Sequence, residues 1–401
     1  MNRSFDRSPL LHAALALGAL AAGATAQESV IFSLTSAGTA GFGALEDTEI
    51  AIYDAAAGVT RPWLMAASAA FYAGDVDGDG KSDVWKDVDA LYVEESGGRV
   101  TEVLLSFNTS FGPFLDGDIV RLTPTGSLEL AHSEATLVSV FALADGGMDL
   151  DGLHVGPDGR IYVSFADDES SGAVSTDTTG VITDGSIVWW DPVNQVVGLE
   201  ITEGTADALV SNALGRTVRI GDTLGIAMDR NGVISFSVQS PSSDDASVFS
   251  EANGGEYVRK ESELGLIGAA EIDALHLTTE PAGFLAPRAT PRIIPANVAT
   301  TVDLDGTPAV RSFVLLLSLT RGDTERFPFY GFGGLALDPA DPLLRLALAG
   351  LPWLYGTTDA AGHAAVVFPP APPGVTLTVL AQPYDFDAFA CGTPIALEFE
   401  G

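Results

Sequence analysis

The chain has 401 residues, with 54 acidic against 19 basic side chains, a formal charge of −35 and a hydrophobic content of 46%. That apolar fraction specifies a packed globular protein and excludes an acidic disordered tail. The negative field repels nucleic acid and anionic membranes and attracts cations. One cysteine, Cys391, excludes a disulfide framework.

Residues 1–26 read as a signal peptide. Arg3 and Arg7 form a basic start, Leu10 to Ala22 an apolar run, and Ala24-Thr25-Ala26 a small-residue cleavage site before Gln27. Cleavage there removes Arg3, Arg7 and Asp6, leaving 17 basic and 53 acidic side chains and a formal charge of −36. No cysteine stands near the cleavage point, so a lipoprotein is not expected. No later stretch reaches the ~18 uninterrupted apolar residues of a membrane span. The expected protein is acidic, extracellular (secreted, periplasmic or on the cell surface) and without a membrane span. The remaining ~375 residues suggest two domains.

A short phrase then recurs: DVDALYV at Asp87–Val93, DLDGLHV at Asp149–Val155 and EIDALHL at Glu271–Leu277, with a worn copy, DTLGIAM, at Asp222–Met228. After the first, second and worn copies come a turn and a strand ending in Ser and an apolar residue: Val103–Phe107, Ile161–Phe165 and Ile234–Val238. The turns carry Gly97-Gly98, Pro157-Asp158-Gly159 and Asn231-Gly232, which are hairpin punctuation. A second hairpin opens at Asp118–Leu122, Ser186–Trp190 and Ser247–Phe249. Each repeat is thus four strands, at an average spacing near 61 residues.

The ends of this array complete each other. Ser29–Leu34 matches the Ser-ended strand with no phrase before it, and Thr48–Tyr53 matches the second-hairpin strand. Glu271–Leu277 is a phrase with no such strand after it. One sheet built from both ends would close a ring and remove exposed edges, so residues 27–280 are expected to be a β-propeller. The copies give four blades; a fifth, degenerate blade stays open, because these repeats exceed the usual ~40–50 residues. The pattern resembles the β-propeller superfamily of secreted bacterial proteins that includes gluconolactonase-like and NHL-repeat proteins, most closely over Asp149–Phe165. The resemblance implies fold more than activity.

Prolines 281, 287, 291 and 295 mark residues 281–296 as a linker unsuited to a helix or a central strand. Beyond it, Ser312–Thr320, Ala364–Phe368, Val375–Ala381 and Ile395–Phe399 read as strands of a small β-sandwich over 297–401, similar to C-terminal modules of secreted bacterial proteins. Leu343–Ala349 fits strand or helix equally.

The sharpest chemical motif is Asp75-Val-Asp77-Gly-Asp79-Gly-Lys81-Ser-Asp83. Carboxylates at positions 1, 3, 5 and 9 with glycine at 6 suit a tight loop around a hard cation such as Ca²⁺. Lys86 stands where an EF-hand has its bidentate Glu. The spacing instead resembles FG-GAP and thrombospondin type 3 loops. That resemblance implies side-chain ligands from Asp75, Asp77, Asp79 and Asp83, and a backbone carbonyl from Lys81. The alternative is a solvated acidic turn.

The phrase itself offers a second metal site. Its first position holds Asp87, Asp149, Asp222 and Glu271, and its third holds Asp89, Asp151, Leu224 and Asp273. Two-residue spacing places these on one strand face, towards a channel if the phrase is the innermost strand. The plainer alternative is that each Asp caps a turn. Tyr92, His154 and His276 share the sixth position, on the opposite face by the same alternation. Trp189 and Trp190 are candidates for stacking on a sugar. No nucleophile elbow, HExxH, phosphate loop or redox cysteine pair occurs.

Two functions are expected. The first is a calcium-stabilised, non-catalytic, monomeric module that binds an extracellular ligand or envelope component, carbohydrate among them. The second is a metal-dependent lactonase or esterase, with a channel cation on Asp149, Asp151, Asp222 and Asp273 and His154 as the nearest base.

Overall fold

The computed structural model describes residues 28–400 except 96–99, 124–126, 145, 175–179, 240–245, 268–270, 279–285, 291–292, 296–297, 307–308, 321–336, 339, 372 and 387–389. Residues 1–26, expected as a signal peptide, and the Gly97-Gly98 turn lie outside these residues. The fold is mostly β, in antiparallel sheets. Among the described residues no helix is long and apolar enough to cross a membrane.

The repeated phrase forms the first strand of each of four four-stranded sheets. Sheet II runs Ala90–Glu95, Val100–Ser106, Ile119–Leu122, Leu128–His132. Sheet III runs Leu150–Val155, Ile161–Phe165, Ile187–Asp191, Val196–Ile201. Sheet IV runs Asp222–Met228, Ile234–Gln239, Val248–Ser250, Glu256–Arg259. Sheet I joins the two ends of the array: Ile272–Thr278 pairs with Ser29–Leu34, followed by Ile50–Asp54 and Val59–Leu64. Thr35 N donates to Glu271 O at 3.1 Å and extends that pairing. The four phrase strands pack against one another, with small residues at their fourth position: Ala90, Gly152, Gly225 and Ala274. A Cβ on Gly225 would lie 2.5 Å from Leu275 Cβ and 2.9 Å from Asp273 O, so only glycine admits this approach.

Each sheet also carries a helix after its fourth strand, which the strand pattern alone does not announce. The helices are Ala66–Ala73, Glu134–Phe141, Glu203–Leu214 and Glu261–Leu264. Their first amide is held by the same structural position each time, just before the third strand. Glu49 accepts from Ala66 N (3.0 Å), Asp118 from Glu134 N (2.7 Å), Ser186 from Glu203 N (3.2 Å) and Ser247 from Glu261 N (3.1 Å). These side chains satisfy donors that a helix start leaves open.

Two more sheets follow. One holds Ala286–Thr290, Thr300–Asp305 and His363–Phe368. The other orders Ile293–Pro295, Ile395–Glu400, Thr376–Asp385, Ser312–Ser318 and Tyr355–Thr357. Val302, Leu304, Val366 and Phe368 of the first share a core with Leu315, Leu380, Leu397 and Phe399 of the second. Residues read as a linker thus supply two strands, both at sheet edges, where proline's missing donor is tolerated. The ambiguous 343–349 segment is a helix, Pro342–Leu348, with Asp341 accepting from Leu343 N and proline in its first turn.

Candidate functional site: two carboxylate clusters

The Asp75–Asp83 loop leaves the first helix and leads into the first phrase. Its carboxylates wind it. Asp75 accepts from Gly78 N (2.7 Å) and Gly80 N (3.0 Å), Asp83 from Val76 N (2.7 Å) and Asp77 N (3.1 Å), and Asp77 from Asp79 N (3.0 Å). Gly78 and Gly80 take φ of 80° and 87°, which side-chain-bearing residues rarely adopt. One oxygen each from Asp75, Asp77 and Asp83 lies within 4.8 Å of the others, an arrangement compatible with one ion. Asp79 lies outside this close group and accepts from Lys81 N at 2.8 Å. The Lys81 ammonium pairs with Glu400, and Ser82 N donates to Glu398 at 2.8 Å. The loop is therefore tied to the last strand of the C-terminal sheet.

The second cluster is buried. Asp89 and Asp273 are 1% and 4% exposed, and one oxygen from each, with one from Asp87, falls within 4.8 Å of the others. Asp151 and Asp222 are also buried and hydrogen-bonded to each other. Asp87 Oδ1, Asp89 Oδ2, Asp149 Oδ1 and Asp222 Oδ1 are buried without a hydrogen-bond partner. Desolvation, followed by neighbouring carboxylates, drives these groups towards protonation. Burial and then Asp47 push Asp87 up to about 7. Burial and then Asp149 push Asp89 up to about 9, and burial and then Asp151 push Asp149 up to about 7. Burial first, then Asp89 and Asp87, holds Asp273 well above the usual carboxylate range. Glu271 stands apart from the close group: it is half-buried, and its carbonyl accepts from Thr35.

Alternation along the strand places Tyr92, His154 and His276 on the face away from these acids. The structure corrects this. His154 and His276 stack with ring centroids 6.1 Å apart, and Tyr92 meets them edge-on at 5.3 and 5.6 Å, although the three come from three different sheets. The reason is a β-bulge inside three of the phrases. Pairing slips between Leu150 and Gly152, between Thr223 and Ile226, and where Ile272 and Leu275 face Leu34 and Phe32. One extra residue reverses the alternation, so side chains at positions three and six both turn inwards. In sheet II the ladder begins only at Ala90, after Asp89.

In sheets I and IV the recurrent serine of the neighbouring strand fills the bulge. Ser237 accepts from Gly225 N (2.8 Å) and Ser33 from Ala274 N (3.0 Å), while Ser33 donates to Val88 O of the next phrase (2.6 Å). Its role is architectural.

The two histidines and Tyr92 line a pocket of about 500 Å³ whose rim carries Glu94, Asp229 and Arg230. Burial lowers His154 to about 4 and His276 to about 3, so both imidazoles are neutral at pH 7. His276 Nδ1 accepts from Val93 N at 3.4 Å, and His154 Nδ1 is buried without a partner. The tryptophans are already covered. Arg160 lies 4.2 Å over the Trp189 ring, which also sits against Gly198, and Trp190 is buried edge-on to His132. Burial pushes the Cys391 thiol up to about 12, which leaves it unreactive.

No family model and no curated protein matches this sequence. Among solved structures, one match is a novel fungal alcohol oxidase with catalytic diversity among the AA5 family, in complex with copper. It is 10% identical with a TM-score of 0.18, over 92% of this chain and 63% of that one. The chain thus spans less than two thirds of that structure's length, and a likeness this slight bears on neither fold nor chemistry.

Proposed function

We propose that this is an exported, calcium-stabilised four-bladed β-propeller followed by a β-sandwich, acting as a non-catalytic binding or adhesion module at the cell envelope. The observation supporting this reading is the Asp75–Asp83 loop. Three carboxylates converge there, and the same loop grips the strand Ile395–Glu400 through Lys81 and Ser82. An ion in it would fasten the connection between sheets I and II to the C-terminal sheets. The ligand would enter the pocket above Tyr92, His154 and His276, where neutral rings offer stacking and acceptors while Glu94, Asp229 and Arg230 offer polar contacts. A hydroxyl-rich ligand such as a carbohydrate fits that chemistry. Thermal unfolding of the mature protein with calcium and with EDTA tests the reading. Coincident curves would refute calcium stabilisation.

A metal-dependent lactonase or esterase is the second reading. One observation favours it: the bulges bring the third-position carboxylates Asp151 and Asp273 to the same side of their strands as His154 and His276. It requires a base beside the metal, yet His154 opens on the pocket, three residues along its strand from Asp151, roughly 10 Å. Ester or lactone turnover lost in Asp151→Asn and kept in Asp77→Ala would establish it over the first.

A further inference from the structure

The six buried or half-buried phrase aspartates have no evident counter-charge. The further charges acting on them are again acidic: Asp47 on Asp87, Asp116 on Asp149, Asp167 and Asp184 on Asp151. A carboxylate taken out of water without a partner is expensive, and several in one place multiply the cost. Hydrogen bonds do not meet it, because Asp89, 99% buried, keeps one oxygen unpartnered within a group whose other members are Asp87 and Asp273. The backbone is strained at the same point, with Asp87 at φ 37°, a region side-chain-bearing residues avoid.

We propose that the space where the four phrase strands meet is a cation site, separate from the 75–83 loop, in which Asp87, Asp89 and Asp273 hold one Ca²⁺ and Asp149, Asp151 and Asp222 form the acidic wall beside it. The donors are all hard oxygens, which excludes soft metals. Among the hard ions Ca²⁺ is favoured, because it accepts irregular all-oxygen sites, whereas Mg²⁺ demands near-ideal octahedral geometry and gives up its water reluctantly. Bound there, the ion would supply the missing positive charge, occupy the orphan oxygen of Asp89, and join the phrase of sheet II to the phrase of sheet I. The inference is independent of the loop, since a loop that binds nothing leaves it intact, and it shares its space with the hydrolase reading without requiring any turnover.

The test is calcium stoichiometry on the mature chain by calorimetric titration. The wild type is expected to bind two ions, Asp77→Ala/Asp79→Ala one, and that variant with Asp89→Asn/Asp273→Asn added none. In EDTA at pH 7 the asparagine pair should unfold at a higher temperature than its parent, because an amide enters the buried site uncharged, whereas each aspartate must first take up a proton. A side-chain pair valued only for its hydrogen bonds would instead unfold lower. Should the asparagine chain not fold, crystals of the loop variant soaked in terbium supply the second measurement. An anomalous peak between Asp89 and Asp273 is expected, and its absence overturns the site. Retention of the second calcium by the asparagine pair, or tighter binding of Mg²⁺ than of Ca²⁺, would also overturn it.

Discussion

Two groups of aspartates, the second beginning a few residues after the first and completed by Asp273 far along the chain, live in opposite surroundings. In the loop, Asp75, Asp77 and Asp83 are in or near water, and backbone amides point at their oxygens. In the phrase, Asp89 and Asp273 are buried, and their nearest electrostatic partners are other acids. The residue type is the same; the supply of donors differs. Where amides and water solvate a carboxylate, an ion adds rigidity to a loop that is already formed. Where neither does, the carboxylate must take up a proton or a cation, and the fold itself depends on which is available.

The sharpest way to break this comparison is to withdraw calcium altogether. At 1,000 times its dissociation constant, one bound ion contributes about 4 kcal/mol. For a unit of this size that is on the order of 10 °C of melting temperature. We expect EDTA to lower the melting temperature of the mature protein by at least that much, and scanning calorimetry would show it. A loss of a degree or two would mean that neither cluster is a calcium site of consequence.

The next effect is the dependence on pH once metal is removed. The phrase aspartates hold protons in the folded state that they release when unfolded, so their stabilisation is complete below about pH 4. It is lost as pH rises through the folded values, about 7 for Asp87 and Asp149 and about 9 for Asp89. His154 and His276 act in the other direction. Held neutral by burial, they cost stability as pH falls below about 6.5, their unfolded value, towards 4 and 3. Between pH 7 and 9 the aspartates act without the histidines. In EDTA the melting temperature should therefore fall across that interval, and with calcium it should stay level. Equal slopes in the two conditions would remove the distinction between loop and phrase.

Smaller effects belong to the loop. Asp77→Ala is expected to cost about half of the calcium-dependent rise in melting temperature and to leave the curve in EDTA within about a degree of the wild type. A large drop in EDTA would show that the loop carboxylates are structural without any ion. Smallest of all is Lys81→Ala. Its ion pair with Glu400 is exposed on both sides, and such pairs contribute little. A change beyond a degree or so would mark the contact with the C-terminal sheet as stronger than its exposure implies.

Much of this was legible in the chain. The phrase locates the first strand of each sheet, and the unmatched strand at Ser29–Leu34 points to its partner at Ile272–Thr278 because each lacks what the other has. The helices were less so. They run from 4 to 12 residues, and their starts rest partly on Glu49, Asp118, Ser186 and Ser247, distant residues that local pattern does not connect to them. Ser133 and Thr202, each bonded to the amide three residues on, were the available signal. The facing of His154 was misjudged for a different reason. Alternation presumes an unbroken ladder, and the glycine or alanine at the phrase's fourth position, opposite a serine, was the sign that the ladder breaks. The grouping of Asp87 and Asp89 with Asp273 joins residues nearly 190 positions apart, and no spacing rule reaches that far.

That sheet I is assembled from both ends of the array has a consequence for how the molecule is made. Among the described strands Ser29–Leu34 is made first, but the strand that covers its edge, Ile272–Thr278, follows more than 230 residues later. Until then six consecutive buried residues have an open edge and no inner neighbour. Of the four sheets that carry the phrase, the one begun first is finished last, and a break anywhere between would leave it waiting.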